Sequence, residues 1–222
     1  MIRALIFDFD GLILDTESPM RASWMEIYAD AGLSVAEDTW ARILGSSPDP
    51  PEAYDLLDAH VGRPVDRAEL RERRVRRELE LLERERPMPG ARELIADAAE
   101  AGLRIGIASS SDRAWVLRLL DDHGLHEAFD AVVCAEDVAK TKPAPDLYLE
   151  ALNALDVRAK EAIAFEDSVH GVAAAKAAGV FCVAVPNDVT RCLSFERADL
   201  LVDSLAERPL REYIAAAERS GS

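Results

Sequence analysis

The sequence predicts an α/β protein: a doubly wound, Rossmann-like parallel sheet with a helical subdomain inserted after its first strand. Three observations carry this. Short apolar runs recur without polar alternation, as in strands buried on both faces of a parallel sheet. From about residue 90 these runs alternate with helical stretches, the rhythm of an α/β domain. The first and second runs lie some 95 residues apart with no strand signal between them, too far for one crossover helix.

The strand candidates are "IRALIF" (2–7), "LRIGIA" (103–108), "AVVCA" (131–135), "AIAF" (162–165), "VFCVAV" (180–185) and the weaker "DLLV" (199–202). The helices between them have readable ends. "PGARELIADAAEAG" starts after a proline and stops at Gly102, and "DSVHGVAAAKAAG" has Ser168 as N-cap and Gly179 as its stop. "PAPDLYLEALNALD" carries Pro145 where a first helical turn tolerates it. The insertion spans 16–86, between "DTES" and the turn-prone "PMPG", leaving 1–15 and 87–222 as the Rossmann-like core. Within it, "ESPMRASWMEIYADAG" and the arginine-rich run 67–86 read as helices. In the latter Val75, Leu79 and Leu82 fall at i, i+4 and i+7 among interleaved glutamates, the pattern of a solvated amphipathic helix rather than an anion-binding surface. Trp24 and Met25 read as core of the insertion, with pocket walls as the alternative.

At 222 residues and 49% apolar, the chain suits one sizeable domain or a core with an insertion. A net charge of −16 argues against a nucleic-acid or anionic-membrane binder, since both need a cationic face. A small anionic substrate, which needs only a few local positive groups, stays open. Cys134, Cys182 and Cys192 form no CxxC, and the first two sit in apolar runs, so they read as reduced core residues. The first apolar run is broken by Asp8 and no run is long enough to span a membrane, so the expected location is cytoplasmic. No exposed apolar stripe demands a partner, and a monomer is expected.

Ligands of open α/β sheets bind beyond the carboxyl ends of the strands. Those ends carry Asp8, Asp10 and Gly11, then Ser109, Ser110 and Ser111, then Lys140 and Lys142, then Glu166 and Asp167. Two aspartates one residue apart at the end of a buried strand repel and lose hydration, so something must neutralise them. Four carboxylates at one edge ask for a hard divalent cation, and Mg²⁺ fits best, because it binds through a few carboxylates and takes a further ligand from phosphate. No histidine or cysteine cluster has zinc spacing. The lysine and the serine turn would hold the remaining phosphate oxygens. One aspartate can attack phosphorus, and the second can serve as general acid and base.

In order, "DFDGLILDT", "IASSS", "KTKPAPD" and "FEDS" resemble the four motifs of the haloacid dehalogenase superfamily, in the branch of β-phosphoglucomutase and small sugar-phosphate phosphatases. The resemblance covers essentially the whole chain, with the insertion in the place of a helical cap. It implies that Asp8 is the nucleophile and Asp10 the general acid/base. It further implies that Asp8, the Asp10 backbone carbonyl, Glu166 and Asp167 hold Mg²⁺, and that Ser109, the Ser110 backbone and Lys142 grip the phosphate. Thr16 would belong to the hinge of the cap. Dehalogenases lack the second aspartate, so Asp10 argues against that reaction. Mutases of the β-phosphoglucose type resemble this chain in the core, but Met20 stands where they carry a histidine, and "ILGSSPDPP" (43–51) lacks their cap arginine. Asp112–Arg113 follows the serines where they carry lysine and asparagine. The expectation is a phosphatase of a small phosphorylated metabolite; the alternatives are a phosphomutase and a non-catalytic binding module.

Overall fold

The computed structural model describes residues 1–36, 39–40, 50–83 and 85–220. The chain divides into two compact units, Met1–Leu14 with Arg86–Ser222, and Asp15–Glu85.

The larger unit is built on six strands: β1 (Ala4–Phe7), β2 (Arg104–Ala108), β3 (Ala131–Val133), β4 (Ala162–Glu166), β5 (Phe181–Ala184) and β6 (Leu200–Leu201). They lie in the order β3-β2-β1-β4-β5-β6, and all neighbours are parallel. β3 is shorter than the apolar run that encodes it. The backbone N–H of Cys134 turns to the Asp137 carboxylate at 2.7 Å instead of a strand neighbour.

Burial on both faces explains the unalternating runs. On one face Ala4, Ile6, Ala108, Ala164 and Cys182 pack with residues of α6 (Asp146–Ala154) and α7 (Val169–Ala177). On the other, Phe7 stacks on Phe165 at 5.0 Å between ring centroids, and Tyr213 of α8 (Leu210–Ser220) meets Phe165 edge-on at 5.1 Å. Such aromatic pairs add about 0.5–1.5 kcal/mol beyond their buried area. Two further helices complete the cover, α4 (Ala91–Glu100) and α5 (Arg113–Asp122).

The strand order reverses between β1 and β4, and in open α/β sheets this switch point opens a crevice at the carboxyl ends. The register pairs Phe7 with both Ile107 and Phe165, so the residues that follow β1, β2 and β4 leave the sheet at nearly one level.

The smaller unit contains α1 (Glu17–Asp30), α2 (Pro51–Val61) and α3 (Arg67–Leu82). Its core is aromatic. Trp24 stacks on Tyr28 and meets Tyr54 edge-on, and the Tyr28 hydroxyl donates to the Ala53 carbonyl at 3.0 Å. Trp24 is fully buried and Met25 partly so, which places both in or against that core. The buried stripe of α3 differs from the one read in the sequence: Arg74, Glu78 and Leu82 are inside, while Val75 and Leu79 are half-exposed. The reason is a local ion pair, Arg74 to Glu78 at 2.5 Å, with the guanidinium over the Trp24 ring. Outer arginines of α3 are spent on α1, Arg77 on Glu26 and Arg73 on Asp30. No described helix in either unit is long and apolar enough to cross a membrane.

Candidate active site

β1 delivers Asp8. The residue continues the ladder through its backbone N–H, which donates to the Phe165 carbonyl at 3.0 Å, so its carboxylate stands at the switch point. Glu166 is the last residue of β4 and Asp167 the next; both are buried. Carboxylate oxygens of Asp8, Glu166 and Asp167 lie within 4.8 Å of one another. Lys142, in the loop that leads into α6, places Nζ 2.7 Å from Asp8 Oδ1 and 2.6 Å from Glu166 Oε1.

Asp8, Glu166 and Asp167 crowd their buried carboxylates together, and the electrostatics register it. Burial pushes the Asp8 carboxyl up to about 6, the Glu166 charge pushes the same way, and Lys142 opposes both. Burial alone would lower the Lys142 ammonium. The charges of Asp8 and Glu166 more than reverse that and hold it well above its usual range. Glu166 Oε1 also accepts the Tyr148 hydroxyl at 2.5 Å, and burial with the Glu166 charge keeps that phenol protonated. The start of α7 closes over the other oxygen: a Cβ on Gly171 would fall 1.8 Å from Glu166 Oε2, so only glycine fits. Ser168 caps this helix, its hydroxyl accepting from the Gly171 N–H at 3.0 Å. An all-oxygen, multiply acidic donor set of this kind fits Mg²⁺ and does not fit zinc.

Gly11 turns the chain with φ of 75°, and a side chain there would strike the Asp167 carboxylate and the Asn187 amide. Asn187, in the loop after β5, donates from Nδ2 to Asp167 Oδ2 at 2.7 Å.

The Asp10 side chain faces the serine loop after β2. Its Oδ2 accepts from Ser111 Oγ at 2.6 Å and Ser109 Oγ at 3.3 Å, and its Oδ1 accepts from Trp115 Nε1 at 3.0 Å. Ser109 is buried and Ser110 exposed. The structure thus gathers Asp8, Lys142, Glu166 and Asp167 in one cluster, with Gly11 against it. It joins Asp10 and Ser109 in a second, hydrogen-bonded group.

The family model of the haloacid dehalogenase-like hydrolases matches residues 5–185, from β1 through β5. The chain belongs to this family. Among its relatives is the Bacillus subtilis (strain 168) protein named "Putative phosphatase YhcW", 41% identical over 210 residues that cover 95% of each chain. Hexitol phosphatase B of Escherichia coli (strain K12) is 31% identical, across 96% of this chain and 97% of its own. Among solved structures, CbbY from Rhodobacter sphaeroides in complex with phosphate superposes with a TM-score of 0.75 at 30% identity. That match covers 93% of this chain and 96% of that one.

Within this haloacid dehalogenase-like site, three residues escaped the reading of the sequence: Tyr148, Asn187 and Trp115. Tyr148 and Trp115 sit inside helices, where nothing in the pattern sets them apart from core aromatics. Asn187 did leave a signal, since it lies three residues past the end of β5, where the strand-end rule applies.

Proposed function

We propose that the chain is a Mg²⁺-dependent phosphatase that hydrolyses a small phosphate monoester, a sugar phosphate or similar metabolite, through an aspartyl-phosphate on Asp8. One observation carries the reading: the buried carboxylates of Asp8, Glu166 and Asp167 bring oxygens within 4.8 Å of one another, and the buried Lys142 ammonium pairs with the first two. Those three residues, with the Asp10 backbone carbonyl, would hold the cation. Bound there, Mg²⁺ would neutralise charge on the transferring phosphoryl group. The phosphatase names of two relatives and the phosphate held by a third support a phosphoryl substrate.

In this reading Asp8 attacks phosphorus as the bond to the substrate's alcohol oxygen breaks, and the Asp10 carboxylic acid gives that oxygen its proton. Asp10, now a carboxylate, takes a proton from water as the water oxygen attacks phosphorus. Asp8 leaves, phosphate departs, and both aspartates return to their starting state. Lys142 orients Asp8 and meets a phosphate oxygen, helped by the Ser109 hydroxyl and the Ser110 backbone. Asp10 exchanges the donors of Ser111 and Trp115 for substrate as it works. The inserted unit is assigned the role of a cap that chooses the leaving alcohol.

Hydrolysis is favoured over phosphate migration between sugar hydroxyls. Met20, in the position of a mutase histidine, is buried among apolar residues. Arg113, the cation that follows the serine loop, gives its guanidinium to Asp137, so it is not held ready for a second phosphate. The cap-arginine comparison at 43–51 lies outside the described residues except for Pro50 and Pro51.

The test is a phosphate-release screen over phosphorylated metabolites, with and without Mg²⁺ and glucose 1,6-bisphosphate. Release that needs Mg²⁺, ignores the bisphosphate and vanishes in Asp8→Asn is expected. Bisphosphate-stimulated interconversion of β-glucose 1- and 6-phosphates would establish the mutase instead. Release by Asp8→Asn at the wild-type rate would remove Asp8 as nucleophile.

A further inference from the structure

Asn187 is the buried polar residue at this edge that the mechanism above leaves without a task. Its side-chain carbonyl accepts three donors: the backbone N–H of Val189 at 2.9 Å, that of Thr190 at 3.0 Å, and the Thr190 hydroxyl at 3.3 Å. Thr190 Oγ1 in turn accepts the Asn187 backbone N–H at 3.1 Å. An oxygen so committed fixes which way the amide faces, since only its other end can present N–H groups. That end points into the acidic cluster. Nδ2 donates to Asp167 Oδ2 at 2.7 Å and to the Gly11 carbonyl at 3.3 Å. One amide therefore latches together the loops that follow β1, β4 and β5.

The chemistry of the donor matters as much as its place. Asp167 stands beside two other carboxylates and is repelled by both, and the Asn187 amide sets a donor against that repulsion. A lysine or arginine in the same position would restrain it but would also supply the positive charge that an incoming cation must bring. A neutral amide orients the carboxylate and leaves its charge for the metal. The absence of a Cβ on Gly11 admits this contact, because one would lie 2.6 Å from Nδ2 and 2.4 Å from Asp167 Oδ2.

We propose that Asn187 is a positioning residue that holds Asp167 in its metal-binding orientation and ties it to the turn carrying Asp8 and Asp10. The inference rests on the metal reading given under Proposed function. It is tested by calorimetric titration of substrate-free protein with Mg²⁺, comparing wild type, Asn187→Ala, Asn187→Asp, Thr190→Val and Asp167→Asn, with melting in EDTA to confirm folding. Loss of an orienting partner typically weakens metal affinity by about 10–100-fold, and Asn187→Ala is expected in that range. Asn187→Asp keeps the shape but sets an acceptor against Asp167, so it should weaken Mg²⁺ binding although it adds a negative charge. Thr190→Val, which loosens the amide from behind, should produce a smaller loss. The turnover of Asn187→Ala should recover as Mg²⁺ is raised, a rescue that a merely structural lesion would not show.

Asn187→Ala binding Mg²⁺ as wild type does, or Asn187→Asp binding it more tightly, would overturn the proposal. Wild type that binds no Mg²⁺ would overturn the metal reading and this inference with it. Binding lost in Asp167→Asn but intact in Asn187→Ala would remove the positioning role alone. If Asn187→Ala fails to fold, Thr190→Val decides: unchanged affinity there counts against the latch.

Discussion

Each unit of the molecule buries an ion cluster, and the two are built on different plans. In the smaller unit Arg74 and Glu78 face each other across one turn of a single helix. In the larger unit Lys142 meets Asp8 and Glu166, with Asp167 close by, and the four residues come from three separate loops or strand ends. Helical spacing alone produces the first arrangement, since residues four apart share a face. The second must be assembled by the sheet, and it keeps an excess of negative charge that folding alone would select against. A pair that sits one turn apart on one helix is architecture. An imbalance gathered from distant parts of the chain marks a place where a further charge is meant to arrive.

The largest effect expected on that comparison comes from Lys142→Met. Removing one electrostatic stabiliser of a reacting phosphoryl group should lower phosphate release by about 10²–10³-fold or more, measured in single turnover at saturating Mg²⁺. Wild-type release with only a lowered melting temperature would make this lysine a structural partner like Arg74, and the contrast would fail.

Next in size is the smaller unit's own pair. Arg74→Leu removes the guanidinium that lies 2.5 Å from a buried carboxylate; breaking a buried pair typically costs about 3–5 kcal/mol, read by urea denaturation. Arg74→Leu combined with Glu78→Leu should recover most of that loss, because well-packed apolar residues commonly replace a buried pair at little cost. The double replacement at Lys142 and Asp8 still leaves Glu166 without the ammonium it shares, so it should recover little stability and restore no turnover. A double variant as unstable as Arg74→Leu would show that the pair does more than cancel its own charge.

Much of this was readable before any coordinates. Continuous apolar runs named the strands, and the polar residues just past their ends named Asp8, Ser109, Lys142, Glu166 and Asp167. Their approach follows from sheet order and register, which place β1 beside β4 and end both at one level. The direction of the Asp10 side chain was not readable, because it depends on Ser111 of the loop after β2 and Trp115 of α5. Nor was the buried face of α3. Apolar spacing pointed to Val75, Leu79 and Leu82; of these only Leu82 is buried, while an arginine and a glutamate are inside, paired, with the arginine over Trp24. Hydrophobic periodicity treats charged residues as outward-facing and makes no allowance for a buried ion pair.

The smallest effect separates the two units by their thiols. All three cysteines belong to the larger unit; Cys134 and Cys182 are buried, and Cys192 is exposed. Burial pushes the Cys134 thiol up to about 12 and, with help from the Glu166 charge, raises Cys182 well above the usual range. At pH 8 a thiol with that value is thiolate in about one molecule in 10⁴, and the thiolate is the nucleophile. A disulfide reagent should therefore titrate Cys192 alone in the native protein and all three cysteines after unfolding in urea. Arg74→Leu lies in the unit that has no cysteine, so the two buried thiols should stay protected in it. Lys142→Met weakens the neighbourhood of Glu166 and should speed modification of Cys182. Equal protection of Cys182 in both variants would mean that the acidic cluster of the larger unit keeps its packing without its lysine. Its charge imbalance would then be borne by the surrounding sheet and helices rather than by Lys142.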